Sequence, residues 1–122
     1  MKLVKASDPI LHSTPERFDF NDPPMDPKQL ADDLKEAMVK FRGIGLSANQ
    51  VGIPYQVFVA GDYNDPDNIV ACFNPRIVFQ SEQLVPIEEG CLSYPGLFLI
   101  VERPSIVRLR SANYDRDRKS VV

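Results

Sequence analysis

The sequence is poor in the residues that most often build metal and disulfide sites. Its 122 residues include a single histidine, His12, and two cysteines, Cys72 and Cys91. Because a zinc-protease helix needs two histidines four residues apart on one face, this sequence cannot form such a helix by itself. Two cysteines do not make a disulfide framework, so we expect a reducing compartment, the cytoplasm.

Long apolar runs and a basic face are also missing. No run approaches the roughly 18 apolar residues of a membrane span, and residues 1–8 lack the apolar core of a signal peptide. The formal net charge is −3, whereas nucleic-acid-binding domains usually carry a basic stripe. With 43% apolar residues, the composition predicts one small domain over residues 1–122, without membrane or direct nucleic-acid contact.

One helix stands out in a sequence whose 11 prolines limit helix content. We predict it from Pro27 to Arg42, where Asp26 is a suitable N-cap and Gln29 occupies the capping-box position. Gly43 can adopt the left-handed conformation that often follows a last turn. The apolar stripe that would face the core consists of Leu30, Leu34, Ala37, Met38 and Phe41.

The rest of the chain reads as extended segments and turns. Residues 1–24 contain several pre-proline positions and predict an extended arm, and residues 62–68 have loop composition. Strands are predicted at 55–60, 69–73, 76–79, 97–101 and 105–110, with a turn starting at 114–117. A helix followed by strands, without β-α-β alternation, indicates an α+β fold.

Two segments could carry chemistry. Residues 43–50 form a glycine-containing stretch that ends in Gln50, whose side-chain NH₂ can donate to an oxyanion. A polar segment that bends at Gly90 precedes Cys91, and a cysteine thiolate is a ligand for divalent metals. The residues alone leave two other interpretations open: Gln50 as a surface residue in a helix C-cap loop, and Cys91 as a buried, inert thiol.

Together, and in this order, the two segments resemble the first two of three motifs of the peptide deformylase family. The block Glu89-Gly90-Cys91-Leu92-Ser93 is the most specific part of the resemblance. Further similarities are Asp8-Pro9-Ile10-Leu11, Asn74-Pro75 and Glu102-Arg103-Pro104, so the resemblance covers essentially the whole chain. It implies an N-terminal helix packed on small mixed or antiparallel sheets.

The resemblance also implies an activity and a site. The expected reaction is metal-dependent hydrolysis of the formyl group from formyl-methionyl nascent peptides as they leave the ribosome. The metal would be ferrous iron, or alternatively zinc or nickel, with Cys91 as its thiolate ligand. Gln50 and the backbone N–H of Leu92 would stabilise the oxyanion. The substrate would be bound by Ile44, Gly45, Glu89 and Gly90.

One motif of the family is absent. Its members carry His-Glu-x-x-His on a C-terminal helix, where both histidines bind the metal and the glutamate moves protons, and this sequence contains no such segment. His12, in the N-terminal arm, does not match it. Glu88 and Glu89 could complete an improvised site, but adjacent carboxylates seldom converge on one ion. We therefore expect a truncated domain without the metal-binding helix, with weak or no metal binding by this chain alone.

Three hypotheses on function follow. The chain is an active deformylase whose site another chain completes, a non-catalytic relative that binds Met-starting peptides, or a fragment that needs a complementary C-terminal segment. The missing helix also predicts that an apolar strand stripe lacks part of its cover, which would make the domain marginally stable or oligomeric. That stripe consists of Val57, Val59, Val107 and Leu109.

Overall fold

The computed structural model describes residues 1–116 and the backbone of 118–121. Within them lie one α-helix and seven strands, which confirms the predicted α+β class. The α-helix and strands are α1 (Pro27–Phe41), β1 (Gly45–Ser47), β2 (Val57–Ala60), β3 (Val70–Gln80), β4 (Leu84–Cys91), β5 (Tyr94–Pro104), β6 (Val107–Ala112) and β7 (Arg118–Val121). Short 3₁₀ helices occur at Pro9–His12, Ala48–Val51 and Pro66–Asn68. In the described part of the chain, no helix is long and apolar enough to cross a membrane.

The strands form two antiparallel sheets. One has five strands in the order β1-β2-β3-β6-β7, and the other is the hairpin of β4 and β5. Antiparallel pairing holds throughout, so the mixed alternative does not apply to these sheets. The turn predicted at residues 114–117 begins at Tyr114 as expected, while Asp117 lies outside the described residues.

The core forms where α1 packs against the first strands of the large sheet. The helix buries Leu30, Ala31, Leu34, Ala37 and Met38, and these residues cluster with buried apolar residues of β1, β2 and β3. Fully burying each large apolar side chain contributes about 1.5–3 kcal/mol. The predicted stripe is confirmed at its four buried members, and its fifth member, Phe41, is half-buried.

The two ends of α1 differ in how well they were predicted. Asp26 is the N-cap and accepts a hydrogen bond from the Lys28 N–H at 3.2 Å, as expected. The Gln29 side chain instead donates to Asp33 at 2.8 Å and makes no capping box. At the C-terminus Arg42, with φ of 56°, takes the left-handed conformation predicted for Gly43. Gly43 serves another purpose, because a Cβ there would lie 2.6 Å from Leu92 Cδ1.

The N-terminal arm is held by Phe18 and Asn74. Phe18 is 1% exposed and packs edge-on against Phe20 and Phe73, with ring centroids 5.1 Å from each. The Asn74 side chain accepts from the Phe18 N–H at 2.7 Å and donates to the Phe18 carbonyl at 2.9 Å. Asn74 therefore substitutes for a neighbouring strand. The predicted break at Asn74-Pro75 is an irregularity inside the continuous β3.

The predicted loss of cover along the strand stripe is only partly right. Val57 and Val59 are 3% and 0% exposed because α1 covers them. Val107 is 39% exposed, and Leu109 is half-buried. Within this predicted stripe, the exposed apolar side chains therefore lie on β6 and not on β2.

The β4–β5 hairpin was predicted only in part. β5 is longer than the expected 97–101 segment, and β4 was not predicted as a strand because Pro86 and two glutamates interrupt its apolar residues. Proline is tolerated in an edge strand, and β4 has only one neighbour. Cys91 and Tyr94 pair across the turn at the tip, just after a register shift at Gly90.

The Asn74 clamp yields a stability prediction. Asn74 has φ of 51°, so Asn74→Gly keeps the backbone conformation and removes only the two side-chain hydrogen bonds. We expect a loss of about 1–3 kcal/mol in the free energy of unfolding. Asn74→Ala should lose about 1–2 kcal/mol more, because alanine is strained in the left-handed region. Urea unfolding measures both, and two variants as stable as the parent would contradict the clamp.

Candidate active site

Gln50 is held in one orientation by its own segment. It lies in the short 3₁₀ helix Ala48–Val51 that follows β1, and its Oε1 accepts a hydrogen bond from the Ser47 N–H at 3.0 Å. The Ser47 hydroxyl also lies 3.1 Å from that oxygen. Because the acceptor end of the amide is engaged on Ser47, its NH₂ group faces the opposite direction.

That NH₂ group points at the tip of the hairpin. Gln50 Nε2 lies 3.6 Å from Cys91 Sγ and 3.1 Å from Ser93 Oγ. The structure thus brings Gln50 and Cys91 together, although 41 residues separate them in sequence. Ser93 is a contact that sequence reasoning missed; its position two residues after Cys91, in a turn, was the available signal.

The two cysteines lie in opposite environments. Cys72 is 4% exposed in the core, while Cys91, at the end of β4, is exposed. The interpretation as a buried, inert thiol therefore describes Cys72 and is wrong for Cys91. A cysteine reacts or binds a metal as its thiolate, and reactive cysteines are at least partly exposed, whereas buried ones are inert. The exposure of Cys91 is therefore compatible with such a role.

Two glycines permit close contacts at the hairpin: Gly43 lets its turn approach the end of α1, and Gly90 accommodates Phe98 within the hairpin. A Cβ at Gly43 would lie 2.6 Å from Leu92 Cδ1, and one at Gly90 would lie 2.7 Å from Phe98 Cε1. Leu92 is half-buried at the edge of the core, so its side chain anchors the turn. The Leu92 backbone is consequently held next to the Cys91 thiol.

Two strand edges flank this tip. β1, which contains Gly45, is the outermost strand of the five-stranded sheet, and β4 has a neighbour only on the β5 side. Within the described residues, each therefore has one edge without a strand partner in its sheet. Ile44, directly before β1, is 80% exposed, which places a large apolar side chain beside the first of these edges.

Glu89 is bound by an arginine. Arg103 donates to both of its carboxylate oxygens, from Nε at 2.8 Å and from Nη2 at 2.7 Å. These hydrogen bonds, which exceed the opposing effect of desolvation, lower the pKa of Glu89, and the carboxylate in turn raises the pKa of Arg103. The Glu89 carboxylate is therefore engaged across the hairpin, and the improvised Glu88–Glu89 metal site finds no support.

The residues present do not complete a metal site. Among residues 1–116, no three His, Cys, Asp or Glu side chains converge in a way that could hold an ion. His12 is exposed in the N-terminal arm. Cys91 therefore offers one ligand, whereas catalytic zinc-type sites use three protein ligands and an open position.

The Glu89–Arg103 pair predicts a pH dependence of stability. A carboxyl group with a lowered native pKa stabilises the fold above its unfolded-state pKa, and this contribution is lost as pH falls through the native pKa. We expect Glu89→Gln to be less stable than the parent at pH 7 and equal to it once pH falls below the native pKa. Unfolding titrations across this range measure the difference.

The matched control is Glu88→Gln, which removes the same charge one residue away. Among residues 1–116, Glu88 forms no ion pair within 4.0 Å. Raised salt should shrink the Glu89→Gln effect, because both partners are partly exposed and therefore screened. A Glu88→Gln variant with the same pH profile would show that general charge, and not this pair, is responsible.

Comparisons with known proteins match the whole chain to one family. The family model described as polypeptide deformylase matches residues 1–122. Peptide deformylase 1B of Arabidopsis thaliana is 40% identical over 124 residues, which cover 99% of this chain and 44% of the relative. The peptide deformylase of Bartonella tribocorum is 36% identical over 123 residues, covering 98% and 68%. The chain thus spans less than half the length of the plant relative.

Solved structures give the same result. Crystal structures of Arabidopsis peptide deformylase 1B and of an Acinetobacter baumannii class I type b deformylase with Met-Ala-Ser bound both superpose with a TM-score of 0.88. Identities are 37% and 27%; each match covers 99% of this chain, and 67% and 81% of the other. Sequence and fold agree along the whole chain, which belongs to the polypeptide deformylase family.

Proposed function

We propose that this chain provides the peptide-binding edges and the oxyanion-stabilising groups of a deformylase site for N-formyl-methionyl nascent peptides at the ribosome. Hydrolysis then requires further metal ligands from outside residues 1–122. The observation that supports this most directly is the 3.6 Å contact between Gln50 Nε2 and Cys91 Sγ. It joins the last residue of one motif to the only metal-ligand candidate of the other.

Gln50 is the proposed oxyanion donor. Attack of water on a formyl amide places negative charge on the carbonyl oxygen, and a donor fixed in advance stabilises that charge without reorganising. Ser47 fixes the Gln50 amide from the other side. The backbone N–H of Leu92 is the proposed second donor. Losing one donor of this type typically slows catalysis by about 100–1000-fold.

Cys91 is the proposed thiolate ligand of a divalent metal, iron by family and zinc or nickel as alternatives. Its exposure and its place beside Gln50 support this role. Such a metal activates water and polarises the carbonyl when it is bound. Since the described residues supply one ligand, the remaining ligands and the proton-transfer group belong to another segment or chain.

The free edges of β1 and β4 are the proposed binding site for the peptide. An extended peptide can pair its main chain with such an edge and thereby accept many sequences. Gly45 and Gly90 carry no side chain that would obstruct this pairing, and Ile44 supplies an apolar contact next to it. Glu89 contributes its backbone, because Arg103 engages its carboxylate.

A complementary segment is the proposed partner for the hairpin. A two-stranded hairpin is marginally stable on its own in water, yet β5 exposes large apolar side chains, including Phe98, Leu99 and Ile100, the last at 77%. The match covers only 67% of the solved Arabidopsis chain, so relatives contain further residues. The alternative is that a second copy of this chain covers the exposed face of β5.

The proposed location is the cytoplasm. Both cysteines are free, which agrees with a reducing compartment.

The experiment that tests this proposal is complementation. The remaining, histidine-bearing part of a bacterial relative is added as a second polypeptide with iron, nickel or zinc, and turnover of formyl-Met-Ala-Ser is measured. We expect activity with the parent chain, loss of activity in Cys91→Ser, and a drop of about 100-fold or more in Gln50→Ala.

The control variant is Cys72→Ala, which removes the other thiol from the core. It should retain turnover in proportion to the folded protein present, which circular dichroism monitors. A complex that assembles and binds metal without turning over the peptide would overturn the proposal. So would equal turnover by the parent chain and Cys91→Ser.

A second candidate function is binding of Met-starting peptides without hydrolysis. The lack of a three-ligand cluster among residues 1–116 favours it. We expect Met-Ala-Ser to shift the NMR signals of residues near Gly45 and Gly90 in the metal-free protein. A Met-Ala-Ser analogue with methylated backbone nitrogens should shift them less, because it cannot donate to a strand edge. Identical shifts with both peptides, or none with either, would remove this candidate.

A further inference from the structure

A cavity that shares no lining residue with the candidate active site has an unusual charge. It has a volume of about 650 Å³ and lies between the N-terminal arm, β3 and β6. Four arginines line it, together with one aspartate. They are Arg17, Arg76, Arg110 and Arg116, with Asp19 as the single acid. None of the residues that line it belongs to the Gln50–Cys91 site, and its volume is in the usual range for small-molecule sites.

Two of these arginines face each other across the sheet. Arg76 on β3 and Arg110 on β6 are direct register partners. Like charges placed opposite each other in neighbouring strands destabilise the pair. The chain as a whole carries a net charge of −3, so this concentration of positive charge does not reflect its composition.

Within the described residues, no carboxylate forms an ion pair with these arginines. Among residues 1–116, the ion pairs within 4.0 Å join Lys28 to Asp32 and Arg103 to Glu89, neither of which reaches the cavity. Asp19 is occupied locally, since its Oδ1 accepts from the Asn21 and Asp22 N–H groups. Asp19 can thus offset at most one of the four positive charges of the cavity, and among residues 1–116 none of these arginines forms a direct ion pair.

Arg116, another arginine of the cavity, has an unfavourable backbone conformation. Arg116 has φ of 68° and lies over the Phe20 ring, with its guanidinium carbon 5.6 Å from the centroid. Non-glycine residues in this region are strained, and such strain is concentrated at functional sites. Phe20 is half-buried and offers an apolar surface to the cavity, while the fully buried Phe18 and Phe73 pack against it.

We propose that this cavity binds an oxyanion, a small molecule that bears a phosphate or carboxylate group. Guanidinium groups bind such anions through paired, charge-assisted hydrogen bonds. The ligand would neutralise Arg76 and Arg110, and its organic part would lie against the Phe20 ring, the accessible phenylalanine of the wall. This site is independent of the proposed deformylase chemistry, because the two share no residue.

The test uses pyrophosphate and citrate as probes, with chloride at matched ionic strength. Binding is measured by isothermal titration calorimetry and by the rise in melting temperature. We expect Arg110→Gln to weaken binding by about tenfold or more, the effect of losing one charge-assisted contact. Without ligand, Arg110→Gln should melt at the same temperature as the parent or higher, because the like-charge pair is gone.

The matched control is Arg108→Gln, on the same strand but outside the cavity lining. It should bind like the parent, and a preference for pyrophosphate over citrate, or the reverse, identifies the ligand class. Equal weakening in Arg108→Gln and Arg110→Gln would mean that the anions only screen surface charge, and this would overturn the proposal. Absence of binding by the folded parent chain would also overturn it.

Discussion

The candidate site depends on the docking of one turn against the end of α1 and the start of β1. Leu92 inserts where Gly43 has no side chain, and this places Cys91 and Ser93 against the Gln50 amide. A Cβ atom at position 43 would lie 2.6 Å from Leu92 Cδ1. The geometry of the candidate site therefore depends on glycine at this position.

The molecule is divided into a well-packed and a poorly covered part. α1, the arm and β1 to β3 share one core, where Phe18, Leu34 and Val59 have almost no exposed surface. β5 is exposed along nearly its whole length. Stability therefore comes from the first part, whereas the hairpin that carries Cys91 depends on a further partner to cover its apolar surface. This is consistent with a site that a further segment completes.

The sequence predicted the elements whose signals are local. α1 was clear because an N-cap, a proline and a 3.6-residue apolar period coincide at Asp26, Pro27 and the following stripe. β4 was missed because proline and two glutamates obscure its period. The left-handed residue was assigned to Gly43 and not to Arg42, since the contact that requires glycine there comes from Leu92, about 50 residues away along the chain.

The site was predictable only through family resemblance. No pattern within residues 43–50 or 88–93 indicates that Gln50 and Cys91 meet; that contact is a property of the fold. The arginine cavity had no sequence signal, because its members come from the arm, two strands and a turn. Charges that are distant in sequence become one electrostatic feature only when β3 and β6 pair in the observed register.

The two halves of the candidate site differ in how they can form during folding. The Ser47–Gln50 contact closes a loop of only three residues, whereas the Gln50–Cys91 contact spans 41. Since loop closure becomes slower and entropically costlier with separation, the amide can be oriented within its own turn before the thiol arrives. The Gln50 amide is thus oriented by a local contact, and only the approach of Cys91 depends on long-range folding.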